Sequence, residues 1–178
     1  MKKQMPFARA KTLLLLACSM LLLWSAPGGA AAPGKREWRG VVSYVVDGDT
    51  VWVRPEGGGK PLSIRVDGID APEICQPGGA AARDALMRRA LGQRVSVHRR
   101  LHDDYGRQLA RLVLDGDDLG EWLVTQGLAW SYRYRNNPGP YARQQGQAEA
   151  ARRGLFSPAQ GQRPVYPRVF RKQHGRCF

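Results

Sequence analysis

The chain is poor in the residues that build metal cages and disulfide scaffolds. It has three cysteines and three histidines in 178 residues. His98, His102 and His174 are scattered and receive no metal role. Long apolar runs are also missing. The strongest, over residues 12–24, falls short of the ~20 residues that a spanning helix needs. No internal repeat is present, and no low-complexity segment beyond the N-terminal leader. Acidic charge is in the minority, with 15 Asp and Glu against 28 Lys and Arg. That excess suits a polyanionic partner, whether DNA, RNA or an anionic membrane surface, and says nothing about catalysis.

What is present is ordinary for a folded protein. A hydrophobic content of 43% and a charged content of 24% do not indicate global disorder. The length fits one domain with an extension at either end.

The first extension has three parts. Lys2, Lys3, Arg9 and Lys11 precede the uncharged run over 12–24, and small residues follow from Ser25 to Ala32. Basic, apolar and small segments in that order predict a secretory signal peptide over 1–31, cleaved near Ala30 or Ala31. Leu15-Leu16-Ala17-Cys18 also fits a lipoprotein signal acylated at Cys18, although the apolar run continues past that cysteine. The expected location is secreted or periplasmic, with no stable membrane span in the mature chain. Without the four leader cations, 24 basic residues face 15 acidic ones, leaving +9. Cys75 and Cys177 remain, and two cysteines in an oxidising compartment suggest one disulfide. Two unpaired thiols are the alternative.

The rest divides into a linker at 32–38, a folded domain at 39–156 and a basic tail at 157–178. Alternation and β-branched residues predict strands over 40–46, 50–53, 62–67, 94–99 and 109–114. Composition and spacing predict helices over 80–91, 119–126 and 141–153, stopped by Gly92, Gly127 and Gly154. The tail shows no usable period. Five short strands with a helix after the third point to a mixed α+β fold, an OB-type five-stranded β-barrel with three helices.

Three short motifs carry chemistry. Asp47-Gly48-Asp49-Thr50 reads first as a hairpin turn. A turn needs only one Asp-Gly, however, and two carboxylates so close repel unless a hard cation with a taste for oxygen ligands lies between them. Arg65 and Asp67 share one face of a strand, and Asp70 and Glu73 follow in a loop stiffened by Pro72. A solvated loop explains the acids there and gives no reason for the proline. The third motif, Asp104-Tyr105-Gly106-Arg107, is a turn whose arginine has a plain surface reading. Trp38, Trp52, Trp122 and Trp130 read as core or edge packing, with Trp52 notable for following the Asp47–Thr50 turn.

Taken together, VDGDTV at 46–51, IRVDGIDAPE at 64–73 and DYGR at 104–107 resemble the staphylococcal nuclease (thermonuclease) family in order and approximate spacing. Gly127-Leu128-Ala129, Tyr132-Arg133-Tyr134 and Ala148 through Phe156 resemble its later segments. The resemblance implies the same OB barrel with three helices, and a Ca²⁺-dependent endonuclease that cuts DNA and RNA and leaves 3′-phosphates. It implies Asp49, Asp70 and the Ala71 carbonyl as calcium ligands, with Asp47 in the outer sphere. Glu73 would act on the attacking water, and Arg65 and Arg107 would grip the phosphate. Tyr105, Tyr132 and Tyr134 would line the nucleotide pocket. No protein partner is implied.

The chain departs from that family in places. Ala71 stands where Thr is common, and Asp104 where the type enzyme has a basic residue. The loop after Glu73 is shorter and carries Cys75. Two other functions stay open at this point. One is a non-catalytic OB module that binds nucleic acid in the cell envelope. The other is a basic protein that binds anionic lipid or cell-wall polymer, which explains the charge and not the acidic cluster.

Overall fold

The computed structural model describes residues 37–178, except Asp104, Tyr105, Gln162, Arg176 and Phe178. The expected leader with Cys18, most of the expected linker, and Tyr105 therefore lie outside the described residues. By contacts the chain separates into two compact units, 1–32 and 33–178, and only the second is described below.

Alternation builds the barrel. In β1 (Glu37–Val45), β2 (Thr50–Pro55), β3 (Leu62–Val66), β5 (Arg94–His102) and β6 (Gln108–Leu114), every second side chain faces one apolar core. Val42, Val53, Ile64, Val66, Val97, Ala110 and Leu112 are fully buried there. The strands run in the order β3-β2-β1-β5-β6. Antiparallel pairing joins each to the next. Parallel pairing of β3 with β6, through Ile64↔Gln108, Arg65↔Leu109 and Val66↔Ala110, closes the sheet on itself. This is the expected OB-type barrel.

The five strands fall where alternation places them to within a few residues, four of them longer than expected and β3 one residue shorter. β1 begins at Glu37, inside the segment read as linker, because Trp38 packs half-buried against the core. Two short pairings add to the barrel. β7 (Asp117–Asp118) extends β6. β4 (Ile69–Asp70) pairs with β8 (Trp130–Ser131), which pins Asp70 opposite the buried Trp130.

α1 (Gly79–Ala90), α2 (Leu119–Thr125) and α3 (Ala142–Ala150) match the expected helices to within a few residues. Among the described residues the helix count is four, not three: α4 (Pro167–His174) forms in the tail. Pro167 is preorganised for a first helical turn, and the preceding Tyr166 is extended. Its anchors are not local. Tyr166 stacks on Trp130 at 5.2 Å between ring centroids, whereas the Phe170–His174 stack, at 4.6 Å, lies within the helix itself. No helix among the described residues is long and apolar enough to cross a membrane.

Two glycines are required by space and not by backbone angle. A Cβ at Gly48 would come within 2.8 Å of the Cβ atoms of both Ala71 and Ala82. A Cβ at Gly79 would collide with the Glu73 carbonyl. The Asp47–Asp49 segment is the expected hairpin connection between β1 and β2, and its Gly48 also allows close packing of three segments.

Asp118 links barrel to helices. Its Oδ1 accepts from the N–H groups of Gly120 (2.8 Å) and Glu121 (3.2 Å), capping α2, and its Oδ2 accepts from the Tyr141 hydroxyl at 3.0 Å. Asp118→Ala removes the cap and strands a nearly buried hydroxyl, an expected loss of about 2 kcal/mol of unfolding free energy in urea titrations. Asp118→Asn keeps one side-chain oxygen to cap α2, gives up the acceptor for the Tyr141 hydroxyl, and is expected to lose less than the alanine variant. Equal midpoints for wild type and the alanine variant would refute this role.

Candidate active site

Strand register brings the three motifs together. Thr50 on β2 pairs with Arg65 on β3, and Arg65 pairs with Leu109 on β6. Ile64 and Val66 point into the core, so Arg65 between them points outward. Asp47 and Asp49 sit in the loop entering β2, Asp70 on β4, Glu73 just beyond it and Arg107 just before β6.

Arg65 is the centre of the arrangement. Its Nη2 donates to Asp49 Oδ2 at 2.9 Å and to Asp70 Oδ1 at 3.0 Å. Asp49 is held on every side: its Oδ1 accepts from the Thr50 hydroxyl at 2.9 Å, and its Oδ2 also accepts from the Ala71 N–H at 3.3 Å. Asp47 accepts from the Asp49 N–H at 3.0 Å. Arg107 donates from Nε to Asp103 at 2.7 Å and from Nη1 to the Thr50 hydroxyl at 3.3 Å. A chain of polar contacts therefore runs from Arg107 through Thr50 and Asp49 to Arg65 and Asp70.

A cleft of about 530 Å³ opens over this chain, lined by Asp47, Asp49, Glu73 and Asp103, by Arg65, Arg107 and Arg171, and by Tyr132. Asp70, 6% exposed, lies behind Arg65 and not on the cleft wall. A second hollow of about 920 Å³ shares Arg65, Asp103 and Tyr132 with the cleft and contains Tyr134. Of the expected aromatic lining, Tyr132 thus borders both spaces and Tyr134 only the second. Trp52 is 40% exposed and lines neither, while Trp130 is buried in the core region as expected.

The carboxylates are crowded. Burial, then repulsion from Asp49, pushes Asp47 up to about 7. Burial and the same neighbour push Asp70 up to about 6, against the pull of Arg65 and Arg171. Attraction to Asp49 raises Arg65 above its already high value. One guanidinium does not balance three acids. Among the described residues, no group of three or more His, Cys, Asp or Glu converges as a ready metal cage, because Arg65 Nη2 stands between the two best donors. The donor chemistry nonetheless suits a hard cation: carboxylate oxygens, mostly buried, in excess of local positive charge.

Three partners escaped sequence reasoning. Asp103 lies four residues before Arg107, a spacing that was legible but was read only as a turn. Gln76, buried in the loop after Glu73, accepts from the Glu73 N–H at 3.2 Å. Arg171, in the basic tail at 157–178, donates to Glu73 Oε1 at 2.6 Å, a pairing that no local pattern marks. Cys75 and Cys177 are joined by a disulfide, with Cα atoms 5.7 Å apart.

The crowding predicts a pH signature in metal-free protein. A carboxyl whose folded pKa is raised above its unfolded value of ~4 stabilises the fold below that value and loses the contribution as pH climbs through the folded one. Relative to Asp47→Asn, which keeps the acceptor for the Asp49 N–H without the charge, wild-type stability in chelator is expected to decline between pH ~4 and pH ~7. Thermal melts of both proteins at mildly acidic and mildly alkaline pH check this. A gap between them that does not change with pH would contradict it.

The chain is similar in sequence to known proteins. The family described as "Staphylococcal nuclease homologue" matches residues 63–158, more than half the chain. A protein of Escherichia coli O157:H7 named "Uncharacterized endonuclease" is 35% identical over 133 residues, covering 74% of this chain and 84% of that one. The "Micrococcal nuclease" of Shigella flexneri is 32% identical over 160 residues, covering 84% and 87%. The rice "Probable staphylococcal-like nuclease CAN1" is 33% identical over 105 residues, which is 59% of this chain. The match spans 32% of that rice protein, so this chain corresponds to about a third of its length. With the barrel, the ordered motifs and two relatives matched over most of their length, the chain belongs to the staphylococcal nuclease homologue family.

Proposed function

We propose that this chain is an exported endonuclease that hydrolyses DNA and RNA with Ca²⁺ and leaves 3′-phosphates. One observation carries the reading: Asp49, Arg65, Glu73 and Arg107 line a single cleft, Asp70 backs it through Arg65, and the carboxylates are crowded and partly buried. Asp49, Asp70 and the Ala71 carbonyl would hold the ion, with Asp47 outside them. The ion's contribution is Lewis-acid neutralisation of the phosphodiester charge.

The chain's own groups do the rest. Arg65, released from bridging Asp49 and Asp70, turns its fork to the phosphate. Arg107 faces the phosphate from the other side, and planar guanidinium pairs two phosphate oxygens at once. Together they stabilise the charge that builds on phosphorus in the five-coordinate transition state. Glu73 takes a proton from the attacking water as its oxygen bonds to phosphorus. The bond from phosphorus to the 5′-oxygen breaks, and that oxygen takes a proton from solvent water and leaves as a 5′-hydroxyl. Tyr105, Tyr132 and Tyr134 would border the bases. Export rests on the leader's order of basic, apolar and small segments, and the disulfide is in keeping with an oxidising compartment.

The test is digestion of single-stranded DNA and of RNA by the mature protein, with Ca²⁺ or with chelator, followed by end-group analysis. Cleavage with 3′-phosphate ends, lost in chelator, is expected. No cleavage with Ca²⁺ at any pH from mildly acidic to alkaline would overturn the reading in favour of a non-catalytic nucleic-acid-binding module. Arg107→Ala and Glu73→Ala are each expected to lower kcat by about 10²–10⁴ with unchanged circular dichroism. Near-full activity in either variant would contradict the role given to that residue.

A further inference from the structure

The matched family segment ends at residue 158, and the chain continues into α4. That helix is not a loose appendage. The disulfide joins Cys177, three residues beyond α4, to Cys75, two residues after Glu73. The Cys75 N–H points at Cys177 Sγ at 3.0 Å. Gln76 Nε2 donates to the Val165 carbonyl at 2.6 Å, while Gln76 Oε1 holds the Glu73 N–H. Tyr166 stacks on Trp130, whose strand pairs with that of Asp70. These ties all attach the tail to the segment that carries Asp70 and Glu73.

The helix then selects one of its cations for the cleft. Arg168 and Lys172 are exposed, whereas Arg171 is turned inward and two-thirds covered. Its Nη1 lies 2.6 Å from Glu73 Oε1 and 3.6 Å from Asp70 Oδ1, and the side chain lines the cleft beside Arg65 and Arg107. A guanidinium has five N–H donors in a fixed fork. One of them fixes the Glu73 carboxylate, and the others remain to meet an anion entering the cleft. A lysine at this position could carry the charge and could not divide its donors in that planar way.

We propose that Arg171 is a positioning residue for Glu73 and a third phosphate-binding guanidinium of the cleft, held there by the Cys75–Cys177 disulfide. The first role rests on the nuclease reading above; the second, phosphate binding, does not. The ligand class is the phosphodiester backbone of single-stranded nucleic acid. A disulfide that tethers a cation to the site makes the site's affinity depend on thiol redox state.

Binding and turnover separate the two roles. Affinity for a fluorescent single-stranded oligodeoxynucleotide is measured by anisotropy in chelator, over a salt series. Arg171→Ala is expected to weaken binding about tenfold and to lower the salt slope by about one. Arg168→Ala, the same charge change on the exposed face, is expected to change much less. With Ca²⁺, Arg171→Lys is expected to recover KM and not kcat, because charge returns without the fork. Cys177→Ser, or reduction of the wild type, is expected to reproduce the binding loss. Adding Cys177→Ser to Arg171→Ala is expected to cost nothing more, since both act through one contact.

Melting curves establish that each variant is folded, and Arg171→Gln, which keeps most of the stem, replaces the alanine if that variant melts early. Wild-type affinity in Arg171→Ala, or an equal loss in Arg168→Ala, would overturn the phosphate site. An unchanged kcat in Arg171→Lys and Arg171→Ala would overturn the positioning of Glu73. Additive losses from Cys177→Ser would overturn the tether. Loss of binding in Arg171→Ala by a wild type that never cuts would uphold the phosphate site and refute the nuclease reading alone.

Discussion

Asp47, Asp49 and Asp70 crowd around Arg65, with Arg171 a further 3.6 Å contact of Asp70, and the site is organised around that crowding of charge. Arg65 donates to Asp49 and Asp70 from one nitrogen, at 2.9 and 3.0 Å. At such separations the gross attraction per pair is about 5 kcal/mol for an effective dielectric of ~20, and the cost of removing three ions from water opposes it. The pair of contacts holds the acids together without neutralising them, and the raised Asp47 and Asp70 show the residual strain. A second cation relieves it. Under the proposed function, the same crowding would favour a hard cation there and free Arg65 for another anion.

This organisation depends on the barrel. Arg65 faces outward because Ile64 and Val66 face inward, and it meets Thr50 because β2 and β3 pair in that register. A slip of one residue would bury the guanidinium in the apolar core. Gly48 allows the Asp47–Asp49 loop to settle against Ala71 and Ala82, and Gly79 allows α1 to start against the Glu73 carbonyl. Small residues thus set the distance between the acidic loops, while the charged ones use it. The tail adds a second layer, for it reaches Glu73 from outside the barrel through a covalent tie and a buried glutamine.

Much of this was legible beforehand. Period-two alternation placed the five barrel strands, because each has one face in the core and one outside it. Asp47, Asp49, Arg65, Glu73 and Arg107 were visible as motifs, and the structure brings them to one cleft. Other features were not legible. The helix at Pro167–His174 has little apolar content of its own, and its order comes from Trp130, Gln76 and a disulfide 102 residues away in sequence. Glu37 and Trp38 looked like linker because the pairing of β1 with β5 that orders them is made with residues 97 and 98.

Sequence alone therefore determined the barrel, the set of acids and arginines, and the family to which they correspond, since all three are written in local spacing and residue type. Tertiary structure decided which charges touch. It placed Arg65 between Asp49 and Asp70, left Asp70 behind the cleft wall, and brought Arg171 to Glu73. Partner choice among buried charges is a matter of ångströms across segments far apart in the chain, and no local pattern of residues encodes such a distance.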